Sequence, residues 1–219
     1  MTKPALLLSL LVALPAMAQS HSAALSIGRV QSLGQTFDAA VGGSGQVNYG
    51  QFNSETFTAL GLQLAWSPCQ LGPLALELTL AAQAPSTKNL TESYWGELNG
   101  VPTGFQNGTQ GAQLRYGYEA VGARLAGHLP IDWSVGLEAR GESLRLVENA
   151  VGTLSCTQIR PWLAARVGYT FPSVVVKPFV ALNWSLALAK QSNDGGFDNS
   201  LAKSMAPTSE WALEGGIRF

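Results

Sequence analysis

The residues of this 219-residue chain that could do chemistry are few, and their spacing argues against most chemistry. A hydrolytic centre needs a base within hydrogen-bond reach of a nucleophile. The chain has two histidines. His21 precedes Ser22 at the frayed start of the expected mature chain, and His128 stands beside the turn sequence Leu129-Pro130-Ile131-Asp132. Cys69 and Cys156 are far from each other and from both histidines, without the close ligand spacing of a zinc site. Asp194 and Asp198 lie in a Gly-rich segment that could at most make a loose calcium contact. Gly42-Gly43-Ser44-Gly45 lacks the Lys and Ser/Thr context of a phosphate-binding loop. We therefore expect no catalytic residue, no metal site and no cofactor.

The remaining candidates are charged residues embedded in apolar runs: Glu77, Glu138, Arg140, Arg166, Lys177, Glu214 and Arg218. Leu74, Leu76, Leu78, Leu80 and Ala82 alternate with Ala75, Glu77, Thr79 and Ala81. Trp133, Val135, Leu137 and Ala139 alternate with Ser134, Gly136, Glu138 and Arg140, and Leu163, Ala165, Val167 and Tyr169 with Arg166, Gly168 and Thr170. The same pattern runs through residues 59–66, 176–188 and 210–219. Period-two alternation predicts strands with one apolar and one polar face. Two irregularities stand out. Leu114, Tyr116 and Tyr118 are out of phase with Val121, Ala123 and Leu125, which predicts a β-bulge near Ala120, and Pro178 predicts a bulge or a late strand start. The first strand, around residues 24–31, has Arg29 in phase with Leu25 and Ile27.

Connections of two lengths join these strands. Short links are expected at 67–73, 130–132 and 172–173, and longer polar ones at 36–51, 85–110 and 191–208, with a modest one at 149–155. Short and long links in alternation describe an up-and-down barrel of about eight strands. Charged residues make up only 12% of the chain, against about 25% in soluble domains. An apolar outer surface covered by lipid accounts for the deficit, and lipid demands a closed barrel because it cannot satisfy an open strand edge. Trp66, Trp133, Tyr169, Phe171, Trp211 and Phe219 fall near strand ends, where an interfacial girdle would place them. The seven charged residues then face inward, where we expect them to pair and fill the lumen. Cys69 and Cys156 would lie near opposite ends, about 25 Å apart, too far for a disulfide.

Residues 1–18 read as a secretory signal, with Lys3, an apolar run over 5–14 and the small residues of Ala16-Met17-Ala18, leaving residues 19–219 as one barrel domain. With 13 Lys plus Arg against 14 Asp plus Glu, nothing suggests a nucleic-acid partner.

The ending Trp211-Ala212-Leu213-Glu214-Gly215-Gly216-Ile217-Arg218-Phe219 resembles the closing strand of bacterial outer-membrane barrels. The resemblance implies an all-β, closed antiparallel transmembrane barrel in the bacterial outer membrane. It also implies membrane lipid as a partner and Phe219 as a signal read by the barrel-assembly machinery. In size the chain is similar to the OmpA/OmpX type. The function we expect is a non-catalytic structural or interaction barrel. Its external loops, above all 85–110 with Tyr94, Trp95 and Phe105, would present a surface to an external ligand. The alternative is a channel for small solutes or hydrophobic molecules, as in barrels similar in size to the OmpW type. A lipid-modifying enzyme fits less well: similar-sized deacylases carry Ser two residues after the catalytic His, and after His128 that position is Pro130. A soluble lipocalin-like barrel would reverse the two faces.

Overall fold

A computed structural model describes residues 20–41, 46–108, 111–127, 131–148, 152–172 and 175–219. The expected signal peptide, the run Gly42-Gly43-Ser44-Gly45, His128 and the turn residues Leu129 and Pro130 lie outside the described residues.

Eight strands close into an antiparallel barrel: β1 (Ser20–Gln31), β4 (Thr56–Leu71), β5 (Leu74–Asn89), β8 (Gln113–Gly127), β9 (Asp132–Glu148), β10 (Gly152–Thr170), β11 (Lys177–Ala187) and β12 (Ser209–Arg218). Each pairs with the next in that order, and β12 closes the ring onto β1 from Ser22↔Arg218 to Gln31↔Ser209. Closure leaves no barrel strand edge unpaired, as a lipid-facing sheet requires. Between barrel strands the tightest link is the turn at Gly72-Pro73, where Gly72 adopts φ 68°, a conformation open to glycine. The expected link at 67–73 is therefore shorter than the sequence suggested, because β4 runs on to Leu71.

The outer wall is apolar. Leu25, Leu60, Leu137, Ile159, Val167, Leu182 and Leu213 are exposed, Ile159 by 80%, although all sit mid-strand. The opposite face carries Gln63, Glu77, Arg124, Glu138, Arg140, Arg160 and Glu214, all buried. This is a soluble protein's distribution turned inside out.

Neither predicted irregularity is a bulge. β8 pairs with β9 without interruption from Gln113↔Val147 to Gly127↔Trp133. Leu114 and Tyr116 are buried inside and Val121 is exposed outside, so both groups obey one alternation. The apparent slip arises because the interior near the loop end is itself apolar. β11 begins at Lys177 and pairs Pro178 with Ile217 without a shift, the late-start alternative. The real shifts lie in β4 between Trp66 and Cys69, around Pro68, and in β5 between Gln83 and Ser86, around Pro85. Proline supplies no ladder donor, so each shift falls where the ladder already lacks one.

The links expected as polar loops at 36–51 and 85–110 contain strands: β2 (Gln35–Val41) and β3 (Gln46–Phe52) in the first, β6 (Glu92–Leu98) and β7 (Val101–Gly108) in the second. β3 pairs with β6 from Gln46↔Leu98 to Phe52↔Glu92, so the two hairpins form one four-stranded sheet in the order β2-β3-β6-β7. The link between β11 and β12 holds a six-residue helix, α1 (Asn199–Ser204), capped by Asp198, whose Oδ1 accepts from the Ser200 amide at 2.7 Å.

Candidate functional site

The barrel interior is built in layers, and its strands bring together six of the seven predicted charged residues. At the turn end, Arg218 reaches Asp132 at 3.4 Å, and the Thr170 hydroxyl donates to the same carboxylate. One layer up, Arg166 Nε stands 2.8 Å from Glu214, and its guanidinium lies 4.5 Å from the centre of the Phe179 ring. Gly216 makes room for that ring, since a Cβ there would come within 2.6 Å of it. Asn183 donates to Glu214 at 2.9 Å, and Glu77 is buried directly opposite Arg124. Among these side chains, a cavity bordered by Glu77, Ser134, Arg166 and Phe179 has about 10 Å³, no more than one water needs.

The middle layer centres on Arg140. Glu138 accepts from Arg124 and from Arg140, the latter at 3.1 Å, while Arg140 also reaches Glu210 and the Ser185 hydroxyl, the last at 2.7 Å. Its guanidinium lies 4.2 Å from the Tyr118 ring centre and 4.1 Å from that of Trp162. Above it, Glu142 accepts from Arg160 at 2.7 and 2.8 Å, from Gln158 at 2.8 Å, from Trp162 at 3.1 Å and from Tyr116 at 3.2 Å.

Lys177 departs from the expectation. It has the inward phase but stands exposed at the turn-end rim opposite Arg218, because β11 begins there and no further turn of the wall encloses it. Sequence reasoning missed Arg124, Glu142, Arg160 and Glu210. The signal was present, since each occupies the inward phase of its strand. The supposed slip in β8 hid Arg124, and expected strands that stopped short hid Glu142 and Arg160.

Above the ionic layers an apolar seal closes the loop end. Leu114, Leu144 and Leu146 from the wall pack with Phe37 and Phe52 from the external sheet and Leu201, Ala202 and Met205 from the α1 segment. Backbone bonds bind these parts into one lid: Asp38 N donates to Gly195 O at 2.6 Å and Leu33 N to Met205 O at 3.2 Å. Arg160, which also donates to the Ala189 carbonyl at 3.2 Å, ties the lid to the ionic layers.

The external sheet has two faces. Tyr94 turns inward, donating to Glu92 at 2.7 Å and meeting Phe37 edge-on. Burial, and then the Glu92 carboxylate, push its phenol well above the ordinary value. Trp95 faces away from the lid, stacked on Tyr49 at 5.6 Å, beside a groove of about 460 Å³ bordered by Gln51, Pro102 and Gly104. Of the three expected loop anchors, Trp95 is thus available, Tyr94 is committed to the lid, and the Phe105 side chain lies outside the described residues.

At the turn end, Phe219 is 60% exposed and stacks on His21 at 5.7 Å, and the two residues exchange backbone hydrogen bonds. Cys69 and Cys156 are free, the first opposite Leu76 near the turn end and the second opposite Leu144 in the loop half. Among the described residues there is no group of three potential metal ligands and no helix long and apolar enough to cross a membrane. The crossing element is the barrel itself.

No protein-family model and no curated protein sequence matches the chain. Solved structures do match it in shape. Ail, the attachment invasion locus protein of Yersinia pestis, solved in complex with the heparin analogue sucrose octasulfate, matches over 91% of this chain and 99% of its own, at 12% identity and TM-score 0.43. The outer membrane protein OprG from Pseudomonas aeruginosa matches over 93% and 97%, at 11% identity and TM-score 0.48. The outer membrane protease OmpT from Escherichia coli matches over 92% and 97%, at 11% identity and TM-score 0.43. At such scores none of them lends this chain a role. The closed ring, the apolar wall and the polar interior make the chain a transmembrane β-barrel of the outer-membrane type on its own geometry.

Proposed function

We propose that the chain is a non-catalytic outer-membrane barrel that anchors a folded external sheet and presents it to a ligand outside the cell. One observation carries this reading: the lumen is filled by ion-paired layers and sealed by apolar contacts, while two hairpins that could have stayed separate loops join into one sheet. A filled interior suits an anchor. A joined sheet suits display, because a rigid surface loses less conformational entropy on binding than free loops do. Short turns mark the periplasmic end and the sheet the external one. Phe219, exposed at the end of the closing strand, is available to the barrel-assembly machinery. The Tyr49–Trp95 platform is the surface best suited to a ligand, since stacked aromatics give large contact area at low entropic cost.

The test is single-channel recording of the refolded mature protein in a planar bilayer, with insertion confirmed by heat-modifiable gel migration. Insertion without channels is expected. Steady, reproducible channels would overturn the display reading and pass the function to the lumen.

A further inference from the structure

Arg115 on β8 and Arg145 on β9 stand directly opposite each other on the outer wall. The pairs on either side, Tyr116↔Leu144 and Leu114↔Leu146, are buried inside, so both arginines point outward, and both are exposed. Like charges at directly opposed positions of an antiparallel pair repel and destabilise it. Neither arginine belongs to any ion pair among the described residues. Glu119 faces out from the same strand four residues lower, about 13 Å away along the chain and too far to neutralise Arg115.

The height of the pair identifies what could. From Trp133, the girdle residue at the turn end, to Arg145 is twelve residues along β9, or about 30 Å along the barrel axis at ordinary rise and tilt. The apolar band of an outer-membrane barrel is about 25 Å tall. The guanidinium groups therefore stand just above the hydrocarbon, at the level of the outer-leaflet headgroups. Exposed Ile159 and Val121 lie on the same wall below them. Around the pair, Pro85, Ser143, Ser155 and Thr157 border a groove of about 380 Å³. Gly117 lets β8 come close to Pro85 at the groove's border, since a Cβ there would meet the Pro85 Cα at 3.1 Å.

We infer that Arg115 and Arg145 form a binding site for a phosphate group carried by an outer-leaflet glycolipid. Two guanidinium forks offer paired donors to the oxygens of one phosphate, relieve their mutual repulsion by sharing its charge, and leave the nearby hydroxyls to bind sugar. Acyl chains would continue down the wall over Ile159 on β10 and Leu137 on β9, beside Glu119 rather than across it, which favours a lipid over a soluble anion. The inference rests on the membrane orientation given above and is independent of the display role.

The experiment uses the refolded barrel in detergent micelles, its fold verified by heat-modifiable migration, and native mass spectrometry to quantify bound lipid. The probes are a bis-phosphorylated lipid A, the same lipid without its phosphates, and inorganic phosphate. The wild type should bind the phosphorylated lipid about tenfold more tightly than the dephosphorylated one, a difference that shrinks toward unity in Arg115→Gln/Arg145→Gln. Equal binding of the two lipids by the wild type would overturn the site without recourse to any variant. Undiminished preference in the double variant would place the phosphate elsewhere. Displacement of the lipid by inorganic phosphate at equal concentration would assign the site to a free anion and refute the lipid source. Each result can arise whether or not the barrel conducts, so failure here is distinguishable from failure of the display reading.

Discussion

Glu142 illustrates how single residues hold this interior together. Its two oxygens accept hydrogen bonds from Arg160, Gln158, Trp162 and Tyr116, and all of its charge is matched by a guanidinium that is itself buried. Removing the carboxylate would leave Arg160 charged in a narrow lumen with only carbonyl partners, and breaking a buried pair in this way typically costs about 3–5 kcal/mol. Glu142→Ala should therefore lower the stability of the refolded barrel by about that amount, read from urea unfolding in detergent followed by heat-modifiable migration. Replacing both partners, as Glu142→Leu with Arg160→Met, should cost less than Glu142→Ala alone, because no orphan charge remains. A double variant less stable than the single one would mean that Arg160 acts chiefly through its bonds to the lid carbonyls.

At the scale of the element, α1 depends on its cap. Hydrogen bonds from Ser200, its hydroxyl first and then its amide, hold the Asp198 carboxyl below its ordinary value. The lowered value fixes the sign: the cap contributes fully above the ordinary carboxylate pKa of about 3.9 and is lost as pH falls through the lowered one. Hydrogen-exchange protection of the α1 amides, corrected for intrinsic rates, should hold from neutral pH to about pH 4 and decline below it. Asp198→Asn, which caps without titrating, should show no such decline, and a decline of equal size would assign the effect to another acid in the lid. Elements were legible in the sequence where the two faces differed in polarity. Leu74 to Ala82 and Trp211 to Phe219 announce themselves because lipid meets one face and charge the other. The signal fails in the loop half, where Leu114, Tyr116, Leu144 and Leu146 are apolar inside the barrel, and this is why β8 looked broken. It fails again in the external sheet, because Gly, Asn and Gln in β3 hide a strand whose buried residues, among the described side chains, are Gly50 and Phe52. The interior site was half legible for the same reason: Glu138 and Arg140 lie in the clear half, and Arg160 beyond the strand end that the apolar pattern could reach.

For the whole molecule, the layers and the lid act as two barriers in series, and a passage exists only if both are opened. The α1 segment of the lid is held by apolar contacts of Leu201 and Met205 with the wall and by backbone bonds from Leu33 and Asp38, whereas the layers beneath it are held by buried ion pairs and by Arg140 between Tyr118 and Trp162. Replacing residues 191–207 by a short Gly-Ser linker removes the α1 part of the first barrier and leaves the second, since Glu138, Arg140, Glu142 and Trp162 all belong to wall strands. That variant should insert into planar bilayers and remain electrically silent. Combining the replacement with Arg140→Ala and Trp162→Ala takes out the centre of the middle layer, and small steady conductances should then appear. Their magnitude should rise further when Glu138, left without Arg140, is also made small. Conductance from the loop replacement alone would show that the ionic layers yield to water once the α1 part of the lid is gone, and that the apolar seal alone keeps the barrel shut.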